Sequence, residues 1–577
     1  MAEQDILSEA QARQVQGDLA GATQLCRTIL SAEPNNAEAL HLLGVIMNEA
    51  GLHSEALPIF ARAIAVGGIA PGLLYNYGMT LRVLGDLAQA ARAFHLAATN
   101  NADDIQSWVA LGTTRLALNQ FEAAEQALRN AADLDPTRTD IRDNLAVALV
   151  GAGLAQQRAR AFEAAHGMML EATRLSSDNP QTHANLANVL RDMGRFTEAQ
   201  CAFARALALR PDDAEVMANQ ALTYLHQGDF DAAIDSYRSA VALAPGNEPI
   251  RSSLAQALLM AGRFVEGWAE FEHRLADPAI AQRLAGLPGK RWRGEDVAGR
   301  SLILRCEQGL GDTIQFARYV PVLAAKGGKV HLAGPRRLQR VMSGLAGLAS
   351  YIPDDAAMPH IDFPEADFHA PLLSVPHLLG DRAPAPIGPY LHAEPGLVAR
   401  WERHLAGDGR ARIGIAWRGN PTYEMDYLRS VPPEHITALI AGQGNELPNN
   451  ALPNNALNAR FLILQRGEDV SSIRKAGAEE LGADVDRDEA FVDTAAIMAN
   501  LDLVITSDTA IAHLAGALGR PAWVLLPFAP DWRWGRTGAR CEWYASLRLI
   551  RQSAPGDWAG VVAAARGALF QGLSQGF

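Results

Sequence analysis

Leu501-Asp-Leu-Val-Ile-Thr-Ser507-Asp-Thr-Ala-Ile-Ala-His513-Leu-Ala-Gly-Ala-Leu-Gly519-Arg-Pro521 reads as strand, tight turn, helix and stop. An apolar run of strand length comes first, and Gly519 and Pro521 close the helix. The turn sets Ser507, Asp508, Thr509 and Ala510 at a helix N-terminus. Unpaired backbone N–H groups and the helix dipole attract an anion there. A phosphate-bearing donor is therefore the first ligand to consider. His513 shares a helix face with Thr509 and reads either as a neighbour of that phosphate or as a packed histidine. Asp508 reads either as part of the turn or as the cap of the helix.

Working outward, the same alternation fills the second half of the chain. Strands are expected at Ser301–Arg305, Lys329–Leu332, Tyr351-Ile352 and Asp367–His369. A second set is expected at Arg412–Trp417, Arg460–Gln465, a short edge strand near Phe491-Val492, Leu501–Thr506 and Ala522–Leu526. Helices are expected over Asp312–Ala325 and near Arg337–Leu345 and Leu397–Leu405. Alternating β and α units imply parallel sheets. Two sets imply two Rossmann-like lobes, with ligands at the carboxyl ends of the strands, in the crevice between them.

Several residues at those strand ends carry candidate chemistry. In Glu307-Gln-Gly-Leu-Gly-Asp-Thr-Ile-Gln315, Gly309 and Gly311 permit a sharp turn and a close ligand. Asp312 reads as a general base on an acceptor hydroxyl, or as a capping box with Gln315. Trp417-Arg-Gly-Asn-Pro421 opens the second lobe. Arg418, Arg429 and Arg466 read as fixed positive charge for a pyrophosphate, or as surface arginines. Asp484-Val-Asp486 and Asp486-Arg-Asp488 have the DxD form of some metal-dependent sugar transferases, but they lie in a charged stretch, and no metal site is expected. HExxH, GxSxG and Walker motifs are missing. The doubled Leu-Pro-Asn-Asn-Ala within Glu446–Asn458 reads as a surface loop.

The first 275 residues follow another rule. Gly44, Gly78 and Gly112 recur every 34 residues, as do Ala56, Ala90 and Ala124, and Ala63, Ala97 and Ala131. Small residues at this period let two antiparallel helices touch, and Phe60 and Phe94 fill the gap to the next pair. The pattern resembles tetratricopeptide repeats, about eight of them. About seven extra residues near Gly151–Arg160 are expected between the two helices of one repeat. Such an α-solenoid presents a concave docking surface for a protein or peptide. Asn76, Asn144, Asn185 and Asn219 recur near the inner face of the first helices, where their amides would meet an acceptor backbone or only solvent. The expected organisation is a repeat array at 1–275, a linker at 276–299, a first lobe at 300–395 and a second lobe at 396–577.

Composition narrows the function class. The chain has 577 residues, 49% hydrophobic and 20% charged, with a net charge of −13, which argues against broad nucleic-acid binding. Four scattered cysteines, no secretory pattern and no long apolar run lead to the expectation of a reduced, cytoplasmic protein without a transmembrane segment.

Residues 300–575 resemble the heptosyltransferase-like glycosyltransferases (family 9-like) of the GT-B fold. The matching pieces are Gly309-Leu-Gly-Asp312, Gly414-Ile-Ala-Trp-Arg-Gly-Asn-Pro421, Ser507–His513, and the closing Pro530-Asp-Trp-Arg-Trp534 with Trp543–Arg551. The layout is also similar to the O-GlcNAc transferases. The resemblance implies Asp312 as catalytic base. It implies Ser507, Asp508, Thr509 and Ala510 as the donor-phosphate turn, with His513 beside it and Arg429 near the pyrophosphate. Gly309, Gly311 and Trp417 complete the implied donor-binding set. A metal-independent, inverting transfer from a nucleotide sugar to a protein or glycan follows, with no resident cofactor. A second class stays open, a repeat scaffold with transferase-like lobes that do not turn over. The acidic Thr422–Leu428 stretch supports it.

Overall fold

The computed structural model describes residues 3–354, 361–383, 387–407, 409–420, 426–441, 457–487 and 489–575. Pro421 to Met425, Asp488 and both copies of the doubled Leu-Pro-Asn-Asn-Ala lie outside them. The chain forms two compact units, Met1–Asp212 and Asp213–Phe577. The expected array at 1–275 is thus shared between the two.

The first unit is a run of antiparallel helix pairs, from Glu3–Val15 with Leu19–Ala32 to Pro180–Asp192 with Phe196–Leu209. The repeat glycines explain the pairing. A Cβ on Gly44 would lie 2.6 Å from the Phe60 ring, and one on Gly78 would lie 2.7 Å from Phe94. Both rings are fully buried, so any larger residue would force the helices apart. The seven extra residues are not a connection between helices. The helix Thr139–Arg158 has 20 residues where Ala37–Glu49 has 13. Ala, Leu, Gln and Arg favour helix, and seven residues make about two turns, which keeps the buried face in phase.

The second unit begins with two more helix pairs, Ala214–Gln227 with Phe230–Leu243 and Glu248–Met260 with Phe264–Phe271. Two sheets follow. Among the described residues the first has the order β1-β5-β2-β3-β4, all parallel, from β1 (Lys290–Arg291), β2 (Ser301–Arg305), β3 (Lys329–Pro335), β4 (Leu348–Asp354) and β5 (Phe368–Pro371). The expected linker therefore supplies an edge strand. The second has the order β11-β10-β9-β6-β7-β8, also parallel, from β6 (Ala411–Ala416), β7 (Ala459–Ile463), β8 (Glu479–Glu480), β9 (Leu503–Ser507), β10 (Ala522–Leu526) and β11 (Leu547–Arg551).

Two details differ from the sequence reading. Phe491-Val492 is not a strand; Phe491 takes φ +68° and starts the helix Val492–Ala499, while the edge strand is β8. The Asp312–Ala325 helix is broken into Leu310–Phe316 and Tyr319–Ala325, because Pro321 has no N–H to continue the ladder. Trp268 of the last repeat sits edge-on to Phe316 at 6.1 Å and to Trp532 at 5.4 Å. One apolar cluster thereby joins that repeat to the elements that follow β2 of the first sheet and β10 of the second.

Candidate functional site

In a doubly wound sheet the strand order reverses at one point, where the crossovers leave on opposite sides and open a crevice. In the second sheet that point lies between β6 and β9. The Ser507–His513 turn leaves β9 there. Thr509, not Asp508, is the residue before the helix Ala510–Ala517, with φ −144° and ψ 173°, and among the described residues no side chain caps the first turn. The Thr509 hydroxyl instead meets Thr506 Oγ1 at 3.3 Å. The leading N–H groups are left without a side-chain acceptor.

Asp508 is 7% exposed. Burial first, then the charge of Asp531, pushes its carboxyl up to about 6, while Arg429 and Arg533 pull the other way. The Trp534 indole N–H favours the Asp508 anion but makes no formed hydrogen bond. His513 is buried, stacked on Trp534 with ring centres 5.3 Å apart, and 3.2 Å from the Tyr544 hydroxyl through Nδ1. Burial, with Arg533, Arg318 and Arg429 nearby, holds its pKa well below the ordinary value. It is a neutral, packed imidazole.

The first sheet reverses between β2 and β5. The chain leaving β2 reaches Gly309, which precedes the helix Leu310–Phe316. Asp312 does cap this helix, but from its third position. Its Oδ2 accepts the Gly309 N–H at 3.1 Å. The expected partner Gln315 is buried and accepts from Arg533 Nε at 2.6 Å. Asp312 Oδ1 accepts from Arg533 Nη2. Its side chain stays 23% exposed, so the carboxylate is held yet reachable.

The two turns meet directly. A Cβ on Gly311 would lie 3.2 Å from His513 Cδ2 and 3.5 Å from Ala510 Cα. The glycine lets one helix start against the other. Arg429 is ion-paired to Asp426 at 3.0 Å and acts electrostatically on Asp508 and His513. Arg533, Asp531, Trp534 and Tyr544 also belong to this cluster. In sequence these residues belong to the closing segments of the resemblance and carry no role of their own; the alternation of charge and aromatics in Asp531-Trp-Arg-Trp534 is the signal that could have found them. Buried polar atoms with no partner among the described residues gather here as well: Ser507 Oγ, Gln315 Nε2, Trp534 Nε1 and Arg318 Nη2.

Other expected residues lie elsewhere. Trp417 shares a strand face with Ile413 and Ile415, and its side chain is in the core; its backbone N–H donates to Gln465 at 3.0 Å. Arg418 pairs with Glu468, and Arg466 donates to the Gly482 carbonyl. Asp486 accepts from the Asp493 and Thr494 N–H groups and so serves the next helix start. Among the described residues, no group of three or more His, Cys, Asp or Glu could hold a metal. Asn76 contacts His41 Nε2 at 2.9 Å, Asn144 donates to its own helix, Asn185 is buried against Gln181, and the Asn219 carbonyl accepts from Thr223. All four lie on the first helix of their pair. Among the described residues no helix is long and apolar enough to cross a membrane.

Tetratricopeptide-repeat models match residues 7–73, 105–138, 184–248 and 224–273, so repeats run through the N-terminal region. Protein FlbA of Caulobacter vibrioides is 26% identical over 95% of this chain and 86% of its own length. Protein O-mannosyl-transferase TMTC1 of Mus musculus is 27% identical over 24% of this chain, which is 15% of that protein. Among solved structures, YrrB, a tetratricopeptide protein with an unusual peptide-binding site, aligns to 33% of this chain and 95% of its own, at 16% identity and a TM-score of 0.28.

Proposed function

We propose that the sheet-bearing unit is a GT-B glycosyltransferase. It moves a sugar from a nucleotide-sugar donor to a hydroxyl of a protein or glycan bound by the repeats. The observation that carries this reading is the meeting of two switch points. Asp312 stands at one, and the uncapped helix start after Asp508 stands at the other, in contact through Gly311. A carboxylate beside an anion-binding helix start is what metal-independent transfer requires. The acceptor oxygen attacks the anomeric carbon, Asp312 takes its proton, and the helix start with Arg429 receives the diphosphate. The match to 15% of an O-mannosyl-transferase points the same way only as far as sugar transfer.

Asp312→Asn tests the base. It should lower diphosphate release by about 10²–10⁴-fold with the fold intact, and unchanged release would remove Asp312 from the mechanism. A second reading, a scaffold without turnover, is favoured by one observation. Ser507, Asp508, Thr509 and His513 are all buried, with Gly311 packed on the helix start. A thermal-shift panel of nucleotides and nucleotide sugars separates the two, since a scaffold responds to none.

A further inference from the structure

We propose that Arg533 is a positioning residue of this centre, holding the Asp312 carboxylate from the second lobe and keeping a positive charge beside the departing diphosphate. The inference rests on the transferase reading above. Arg533 lies in the short 3₁₀ turn Trp532–Trp534 that follows β10. Its guanidinium is used along three edges. Nη2 donates to Asp312 Oδ1, Nε donates to Gln315 Oε1 at 2.6 Å, and Nη1 donates to Asp531 Oδ1 at 2.9 Å. Its centre lies 4.4 Å from the Trp532 ring centroid. A planar fork bonded on three edges and stacked on an indole has one orientation, which a lysine ammonium cannot reproduce.

The three partners come from both lobes. Asp312 and Gln315 lie on the helix Leu310–Phe316, and Asp531 precedes the 3₁₀ turn. The other Asp312 oxygen is held by the Gly309 N–H at 3.1 Å. Each carboxylate oxygen has two acceptor sites. One bond on each fixes the group and leaves room for an incoming hydroxyl proton. The base is therefore complete only when the lobes are together.

The charge balance of transfer gives Arg533 its second task. The acceptor oxygen–carbon bond forms as the carbon–oxygen bond to the diphosphate breaks. The proton passes to Asp312, which loses its negative charge, and the bonding pair leaves with the diphosphate, which gains one. Negative charge thus moves from Asp312 toward the phosphate turn. Arg533 interacts electrostatically with Asp312 and with Asp508 of that turn, so it faces an anion before and after.

The test uses the full chain and its Arg533→Gln, Arg533→Lys, Arg533→Ala and Asp312→Asn variants. UDP-N-acetylglucosamine, UDP-glucose, GDP-mannose and ADP-glucose serve as donor probes, with release of the nucleoside diphosphate as the readout. Arg533→Gln should lower kcat by about 10²–10³-fold while KM for the donor moves less than about threefold. Arg533→Lys should recover little, and methylguanidinium added to Arg533→Ala should restore part of the rate. A kcat for Arg533→Gln within about threefold of wild type, or no rescue by methylguanidinium, overturns the proposal alone. A wild-type chain that neither binds nor cleaves any donor overturns the transferase reading and this proposal together. A double-mutant cycle in urea gives a readout independent of turnover. Asp312→Asn and Arg533→Gln should change the unfolding constant non-additively, and effects that multiply to within about twofold would show that Arg533 does not hold Asp312.

Discussion

Replacing Asp508 by asparagine should stabilise the protein at neutral pH. Asp508 is 7% exposed, and burial, followed by the Asp531 charge, raises its pKa from 3.8 to about 6. The folded chain therefore binds this proton more tightly than the unfolded chain. Between about pH 4 and about pH 6 the native state holds more protons, so stability falls as pH rises through that window and levels off above it. At about 1.36 kcal/mol per pH unit, the rise costs about 3 kcal/mol at neutral pH. Asparagine has nearly the same shape and does not ionise. Asp508→Asn should exceed wild type by up to about 3 kcal/mol near pH 8 and match it near pH 4. Urea unfolding followed by tryptophan fluorescence reads this directly, because only Trp108 among the ten tryptophans lies in the first unit. A variant no more stable than wild type near pH 8, or a difference independent of pH, would refute the argument. A buried carboxylate that lowers stability at working pH is the pattern of a site shaped for function.

Three further outcomes follow from the same packing. Glu307 is buried, accepts from Arg274 Nη2 at 2.7 Å and from the Leu372 and Leu373 N–H groups at 3.1 and 3.2 Å. Glu307→Ala should cost about 2–4 kcal/mol in urea unfolding, because it leaves the buried Leu372 and Leu373 N–H groups without their acceptor while Arg274 keeps Glu272 at 2.8 Å, whereas Glu307→Gln, which keeps an acceptor, should cost about 1–2. Gly516→Ala places a Cβ 2.4 Å from the fully buried Tyr544 ring. It should destabilise by about 1–3 kcal/mol despite the better helix propensity of alanine, and a higher midpoint would contradict that packing. Asp312→Asn should abolish most donor turnover while leaving nucleotide affinity within about threefold, as read by calorimetry.

The repeats were legible because glycine, alanine and phenylalanine recur at a fixed spacing; the rings of Phe60 and Phe94, expected in the gap to the next pair, pack on Gly44 and Gly78 of their own pair, since a glycine leaves room for a ring there. Most strands of both sheets were legible as apolar runs bounded by turn residues. The failures have physical causes. The extra residues of the long repeat look in sequence like a connection, since helix propensity alone does not say where added residues go. Phe491 looks like a strand residue, but it takes φ +68° as the residue before a helix, a conformation that an aromatic residue seldom adopts and does not announce in sequence. In the site, spacing placed Asp312 and Ser507–His513 on separate lobes. It did not reveal Arg533, whose partners Asp312 and Gln315 stand more than 200 positions earlier. Long-range pairing of this kind leaves no periodic trace in a single sequence.

The central claim is that the helix start after Asp508 binds the phosphates of a donor. The most direct measurement is calorimetric binding of UDP, GDP, ADP and dTDP to the full chain and to Ala510→Asp. The added carboxylate sits at the first helical position, where it suits the helix dipole while competing for the anion site. The account predicts that one of these nucleotides binds the wild-type chain, and that Ala510→Asp weakens it at least about tenfold while the variant stays folded at the temperature of the measurement. Binding unaffected by Ala510→Asp, or no binding of any of the four to wild type, would contradict it.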